Sequence, residues 1–290
     1  MGEGQRDNQT SPREVLLLGL GNVPELQTLL LLLTVMIYSV TVVGNFLIMV
    51  LVVADQHLHT PMYFFLGSLS FLETCYSSTI LPRLLASFLT GDRTISAHDY
   101  MAQLYFFGSF AATECYLLAA MSYDRYLAIC QPLLCVSLMT WKVCLGMSDV
   151  SCLVGSLVSA VVTFLLSQLQ FCGPQVIDHF FCDFTPLLEL CCSDIMVDKL
   201  ITFFLFILDI IITLASYVCI IAAILRIPSS MGRQKAFSTC SSHLTVMTVC
   251  YGTLIIVYVP LRTAPLRQLN KVFSFFYTVL TPLVTPSFTA

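Results

Sequence analysis

The sequence predicts an all-α membrane protein, a seven-transmembrane helix bundle, on three observations. Of its 290 residues 57% are apolar and only 10% are charged, whereas soluble domains carry roughly 25% charged residues. Apolar stretches long enough to cross hydrocarbon recur seven times along the chain. The few acids inside those stretches stand singly, as they do where a helix bundle turns its polar groups inward.

A helix needs about 20 mostly apolar residues to cross a bilayer. Segment 28–54 has no charge and is the clearest span. Segment 62–88 follows, interrupted by Glu73, Pro82 and Arg83, and then 100–129, with Glu114 inside it and Asp124-Arg125 near its end. The fourth is 150–171, uncharged, and the fifth is 200–225, with Asp209, which has no assigned role. The sixth is 236–261, with His243, and the seventh is 272–290. Hydrocarbon leaves no backbone group another partner, so each span is expected to be helical. The alternation of a membrane barrel is absent. Residues 1–25 form a tail and 26–290 the membrane domain. The tail shows no cleavable signal, because its charges precede the first long apolar segment.

Seven spans put the termini on opposite sides. The basic residues are spread over both sides and do not set the orientation. Asn8-Gln9-Thr10 is a glycosylation acceptor sequence, and the cysteine-rich stretch 172–192 calls for an oxidising compartment. Both favour an outside N-terminus. The net charge of −4 and the 13 scattered Lys and Arg residues give no basic stripe, so nucleic acid is not an expected partner. Membrane lipid is.

Four groups of residues carry chemistry. Glu73 and Glu114 each lie mid-span, and two carboxyls at that depth need protons, a cation or polar partners. They either face a polar gap as neutral acids or share a conformation-sensitive ion or proton site. Asp124-Arg125-Tyr126 ends the third span, where the acid can hold the guanidinium and its release would free five donors for a partner's carbonyls. In the loop, His179, Cys182 and Asp183 could be read as metal ligands, but a disulfide-stapled outer loop is the ordinary reading and no metal site is expected. Cys172 and Cys192 would close about 20 residues, a constraint of about 3 kcal/mol in the chain-entropy treatment. No nucleotide loop, Ser–His–Asp arrangement or His-Glu-x-x-His sequence is present, so neither catalysis nor a cofactor is expected.

Longer stretches are similar to the odorant-receptor family of rhodopsin-like G-protein-coupled receptors. Leu58-His59-Thr60-Pro61-Met62-Tyr63-Phe64-Phe65-Leu66 resembles the signature opening its second span, and Met121-Ser122-Tyr123-Asp124-Arg125-Tyr126-Leu127-Ala128-Ile129-Cys130 the one closing its third. Ser216-Tyr217, Lys235-Ala236-Phe237-Ser238-Thr239-Cys240-Ser241-Ser242-His243-Leu244 and Gly44-Asn45 resemble motifs of the fifth, sixth and first spans. The resemblance runs in order from about residue 8 to 286.

It implies a receptor that binds a small lipophilic odorant and activates a heterotrimeric, stimulatory olfactory-type G protein. Asp124, Arg125 and Tyr126 would form the inner switch, with Tyr217 as a partner, and Glu73 and Glu114 would face each other in the core. Phe107, Gly108, Ala111 and Ala112 of the third span, with Tyr251, Leu254, Ile255 and Tyr258 of the sixth, would line the odorant pocket. A mostly apolar cleft with a few hydroxyls suits such a ligand.

Three departures set a second expectation, a receptor fold impaired in folding or signalling. Tyr100 stands where the family has a cysteine that pairs with the outer loop, leaving Cys182 without that partner and its pairing with Cys191 open. The seventh span ends Thr285-Pro286-Ser287-Phe288-Thr289 where the family has an Asn-Pro-x-Ile-Tyr run. After Ala290 no amphipathic eighth helix follows. A transporter or channel is the remote alternative, because no repeated halves or broken mid-span helices occur.

Overall fold

The computed structural model describes residues 14–17, 24–169, 176–177, 179, 181–188, 190, 211, 214–215, 217–226, 229, 231, 233–234, 237, 241, 244–249 and 251–252. The expected seventh span, most of the sixth and much of the fifth lie outside this set, as do Asn8, Cys172, Cys191, Cys192, Asp209, Ser216, Leu254, Ile255, Tyr258 and the Thr285–Thr289 motif.

Four long helices dominate: α1 (Pro24–Ala54), α2 (Pro61–Thr90), α3 (Ala97–Cys130) and α5 (Trp141–Ser167), with the short α4 (Pro132–Leu138) and α6 (Phe184–Leu188) between and after them. Among the described residues three stretches, Gln27–Ala54, Ala97–Cys130 and Trp141–Ser167, are long and apolar enough to cross a membrane. α5 starts and ends earlier than the apolar segment 150–171, taking in Lys142 and Asp149. α2 starts with Pro61 in its first turn, where a missing N–H costs nothing, and stops at Gly91. Gly91 takes φ 73°, the left-handed conformation open to glycine, and donates to the Ser87 carbonyl at 3.1 Å. α3 starts on Ser96, whose Oγ accepts from the Asp99 amide at 3.0 Å.

Burial is inverted relative to a water-soluble bundle. α1 buries Thr34, Thr41 and Asn45 with Ile37, and exposes Leu29, Leu32, Val35, Met36, Val40, Val43, Phe46, Leu47, Val50 and Leu51. Such an exposed apolar face fits lipid and not water. Many helix hydroxyls bond to their own helix. Thr74, Ser77, Thr79, Thr113, Ser122 and Ser151 each donate to the carbonyl four residues back, at 2.8 to 2.9 Å. That leaves few donors facing hydrocarbon.

The prediction of an all-helical chain needs one correction. Glu14–Leu17 forms strand β1, flanked by β2 (Thr94–Ser96) and β3 (Val176–Ile177) in the order β2-β1-β3. β1 runs antiparallel to β2, with Val15 opposite Ile95, and parallel to β3, with Leu17 opposite Ile177. Val15 and Leu17 point inward and Leu16 outward, the two-residue period of a strand. The sheet closes the end of the bundle where α2 finishes and α3 starts. Beside it Asp92 Oδ1 accepts from the Thr94 amide at 2.9 Å and the Thr94 hydroxyl at 2.8 Å, and those bonds hold its carboxyl below the usual carboxylate range.

α3 and α5 form the tightest seam, and small residues make it. Ser159 Oγ donates to the Tyr105 carbonyl at 2.7 Å, and the hydroxyls of Ser109 and Ser156 lie 3.0 Å apart. A Cβ added at Gly155 would fall 2.8 Å from the Thr113 amide nitrogen and 3.0 Å from the Ser109 carbonyl, so only glycine fits. Gly155→Ala is expected to lose about 1–3 kcal/mol by overpacking. Gly146→Ala on the same helix, with nothing within 4 Å of the new Cβ, is expected to be neutral or stabilising. Thermal unfolding of the two variants in detergent checks the contrast.

Candidate functional site

The two ends of α3 and the space between them hold the residues singled out from the sequence. At the end away from the sheet, Asp124 is buried, Arg125 and Tyr126 are half-buried, and Tyr217, on the helical stretch 217–225, is buried in the same apolar cluster as Met121 and Leu127. Tyr126 packs against the same cluster. The structure does not pair Asp124 with Arg125: among the described residues the ion pair present is His98–Asp99, 3.7 Å apart at the opposite end of α3. The two charged groups stand farther apart than an ion pair allows. Next to this group α4 holds Leu133 and Val136 in the open, 90% and 84% exposed.

Midway along the helices Glu73 on α2 and Glu114 on α3 are both buried, at 1% and 4% exposure. Ser77 Oγ donates to the Glu73 backbone carbonyl at 2.8 Å. Three residues after Glu73, Tyr76 meets Phe107 of α3 with ring centres 5.1 Å apart. Phe107 also meets Phe181, from the segment after β3, at 5.2 Å, and Phe181 meets His179 edge-on at 4.7 Å. Phe107, Phe181 and Tyr251 belong to one buried cluster, with Ala111 packed against it. Ala112 is half-buried.

Gly108 is placed differently from the expected pocket lining. A Cβ there would lie 2.8 Å from Ser159 Oγ, so Gly108 belongs to the α3–α5 seam. A glycine reads the same from sequence whether it borders a ligand or a neighbouring helix, because it has no side chain to reveal its face.

At the sheet end a second apolar cluster packs Val15, Leu17, Ile95 and Ile177 over Tyr100, Leu104, Leu166, Cys182, Leu187 and Leu188. Cys182 is a free, fully buried thiol. Burial pushes its pKa well above the ordinary thiol range. The loop is nevertheless tied to α3 in its immediate vicinity. Tyr100 Oη donates to the Asp183 carbonyl at 2.8 Å, with the phenol 1% exposed. Asp183 Oδ1 in turn accepts from the Phe184 amide at 2.7 Å, at the start of α6. Arg83 reaches the same end, donating from Nη2 to the Thr94 carbonyl at 2.7 Å. Sequence reasoning treated Tyr100 as a loss, whereas its hydroxyl makes a replacement contact. It also passed over Phe181 and His179 as pocket neighbours. No group of three or more metal-ligating side chains is present among the described residues.

A bundle that exposes the apolar face of α1, buries acids and hydroxyls mid-helix and closes one end over a buried ring cluster has the architecture of a helical membrane protein. The family model described as "Olfactory receptor" matches residues 34–289. Olfactory receptor 5AP2 of Mus musculus is 44% identical over 286 residues, covering 97% of this chain and 90% of its own. Olfactory receptor 11L1 of Homo sapiens is 47% identical over 274 residues, covering 93% and 85%, and Olfactory receptor 6P1 of Homo sapiens is 46% identical over 278 residues, covering 94% and 88%. The chain belongs to the olfactory receptor family, and is thus a transmembrane G-protein-coupled receptor.

Two outcomes are expected at the sheet end. Tyr100→Phe leaves the Asp183 carbonyl buried without its donor and is expected to lower stability by about 1–3 kcal/mol, read as a lower melting temperature in detergent and reduced surface staining. Cys182 favours the neutral thiol, so its contribution to stability is complete below the unfolded thiol pKa of about 8.5 and falls as pH rises toward the higher folded value. A maleimide applied near neutral pH is accordingly expected to leave Cys182 unlabelled in the native protein and to label it after denaturation without reductant, as peptide mapping would show.

Proposed function

We propose that this chain is an odorant receptor: a seven-span bundle with its N-terminus outside the plasma membrane, binding small volatile apolar molecules and signalling through a stimulatory olfactory-type G protein. The observation that carries this reading is the ring cluster of Tyr76 on α2, Phe107 on α3 and Phe181 from the segment after β3, buried together, in a chain of this family. Phe107, Ala111, Ala112 and Tyr251 would line the cleft from their observed places, with Leu254, Ile255 and Tyr258 completing it from the sixth span. A small lipophilic ligand would enter a site already desolvated and mostly apolar.

The signal would leave at the Asp124-Arg125-Tyr126 end with Tyr217. Arg125, not held by Asp124, has donors to offer a partner's carbonyls. Leu133 and Val136 provide an apolar contact beside it, the kind of exposed patch that marks a docking surface. Glu73 and Glu114 would form a conformation-sensitive proton or cation site between the two ends. Asn8 would carry a glycan, and Cys172 with Cys192 a disulfide, both on the outer side. The seventh-span sequence Thr285-Pro286-Ser287-Phe288-Thr289 favours a second reading, a receptor fold that binds ligand but couples weakly.

A cyclic-AMP reporter with an odorant panel, run beside surface staining, tests the proposal. The expected result is an odorant-dependent rise that Leu133→Asp reduces at least about fivefold (on the order of 1 kcal/mol) without loss of surface protein. A chain present at the surface and silent to the whole panel would instead support the second reading.

A further inference from the structure

The side-chain amide of Gln103 lies directly on the sheet side of the ring cluster. Gln103 precedes Phe107 by one turn on α3, and its Nε2 donates to the Thr79 carbonyl at 2.9 Å, one turn beyond Tyr76 on α2. The amide therefore bridges α2 and α3 in the layer next to the Tyr76–Phe107 pair. Its orientation follows from chemistry: a carbonyl accepts only from a donor, so the NH2 group must be the one facing Thr79. The Gln103 carbonyl oxygen is turned away from that contact. It is buried, in a residue only 9% exposed, and has no hydrogen-bond partner among the described residues.

A buried acceptor without a donor is unfavourable by about 1–3 kcal/mol, and such groups persist where a ligand supplies what is missing. One N–H of the Gln103 amide is committed to α2, and its carbonyl oxygen is the acceptor left without a donor. The neighbouring rings meet tilted or edge-on, the arrangement in which a further aromatic ring packs well.

We infer that Gln103 is a specificity-determining residue whose carbonyl oxygen accepts a hydrogen bond from the ligand, so that the site selects small aromatic alcohols and phenols over analogues lacking the hydroxyl proton. This rests on reading the Phe107 region as the ligand pocket. A site built to bond a hydroxyl discriminates strongly against the molecule without it, because its own polar group is then left unpaired.

The test uses two matched pairs, 2-phenylethanol with its methyl ether and 4-ethylphenol with its methyl ether. The readout is ligand-dependent thermal stabilisation of the purified full chain in detergent, which does not depend on coupling. The hydroxyl member of at least one pair is expected to act at a concentration at least about tenfold lower than its ether. Gln103→Met is expected to abolish that difference while leaving the ether's potency unchanged. The wild-type ratio alone decides if Gln103→Met fails to fold: a tenfold preference supports the inference, and equal potency overturns it. A preference that survives Gln103→Met assigns the amide a structural role only and overturns the inference. If neither pair stabilises the chain, the inference also fails. A cyclic-AMP response to the wider odorant panel would then leave the receptor reading standing, and silence there would remove that as well.

Discussion

Hydrocarbon offers a polar group nothing to bond to, and the helices of this chain are arranged around that deprivation. In water, α1 would turn its leucines and valines inward. Here it turns Thr34, Thr41 and Asn45 inward and leaves the aliphatic side chains outside. Because lipid is as apolar as leucine, burial of aliphatic surface cannot hold such helices together, and close approach and hydrogen bonds must do so. The α3–α5 seam shows both. Gly108 and Gly155 remove bulk, and Ser109, Ser156 and Ser159 place hydroxyls between the helices. The same scarcity makes Glu73, Glu114 and Gln103 conspicuous, since each is a polar group the helices could have done without.

The sheet end obeys different physics, because there the chain leaves the lipid and an ordinary apolar core can form. A single hydrogen bond such as Tyr100 to Asp183 is worth about 0.5–1.5 kcal/mol net, less than the 2–4 kcal/mol typical of a disulfide. The difference is made up by area. Val15, Leu17, Ile95, Ile177, Leu187 and Leu188 are all buried in the cluster around Tyr100, and each fully buried side chain of this size contributes roughly 1.5–3 kcal/mol. The outer segment is therefore held by packing first and by the phenol second, and it stays in place while Cys182 remains a thiol.

Some of this was legible in the residues and some could not be. The membrane class followed from composition, and the first four helices from apolar runs, because about 20 residues of hydrocarbon thickness leave a strong mark. Charge singled out Asp124, Arg125, Glu73 and Glu114, which the structure buries wholly or in part, and the family resemblance singled out Phe107. β1 was missed: its apolar patch is four residues long, and its partners lie about 80 and 160 residues away, so no local period announces it. Gly108 was misplaced because helical spacing puts neighbouring residues on different faces and a glycine carries no chemical label. Tyr100 was counted as a defect because comparison by motif sees a missing cysteine and not a new donor. The absence of an Asp124–Arg125 ion pair depends on side-chain placement and not on adjacency.

These pieces constrain how a ligand could be felt at the far end. α3 carries both the ring cluster and the Asp124 group, but it is fastened to α5 by the seam at Gly155 and Ser159 and to α2 by the Gln103–Thr79 bond. Polar bonds and glycine contacts of this kind have one good geometry, so α2, α3 and α5 form a frame. The contacts made by Ile220, Ile224, Val246 and Met247 with the cluster are apolar. Dispersion contacts have broad minima and tolerate sliding, which is how packed helices shift by an ångström or two. A ligand that binds two arrangements unequally would therefore bias the 217–225 and 244–249 stretches against that frame, and would need differential affinity of only a few kcal/mol to do so. Tyr217 lies on the 217–225 stretch and Arg125 on α3, so in the proposed switch such a shift would change their separation.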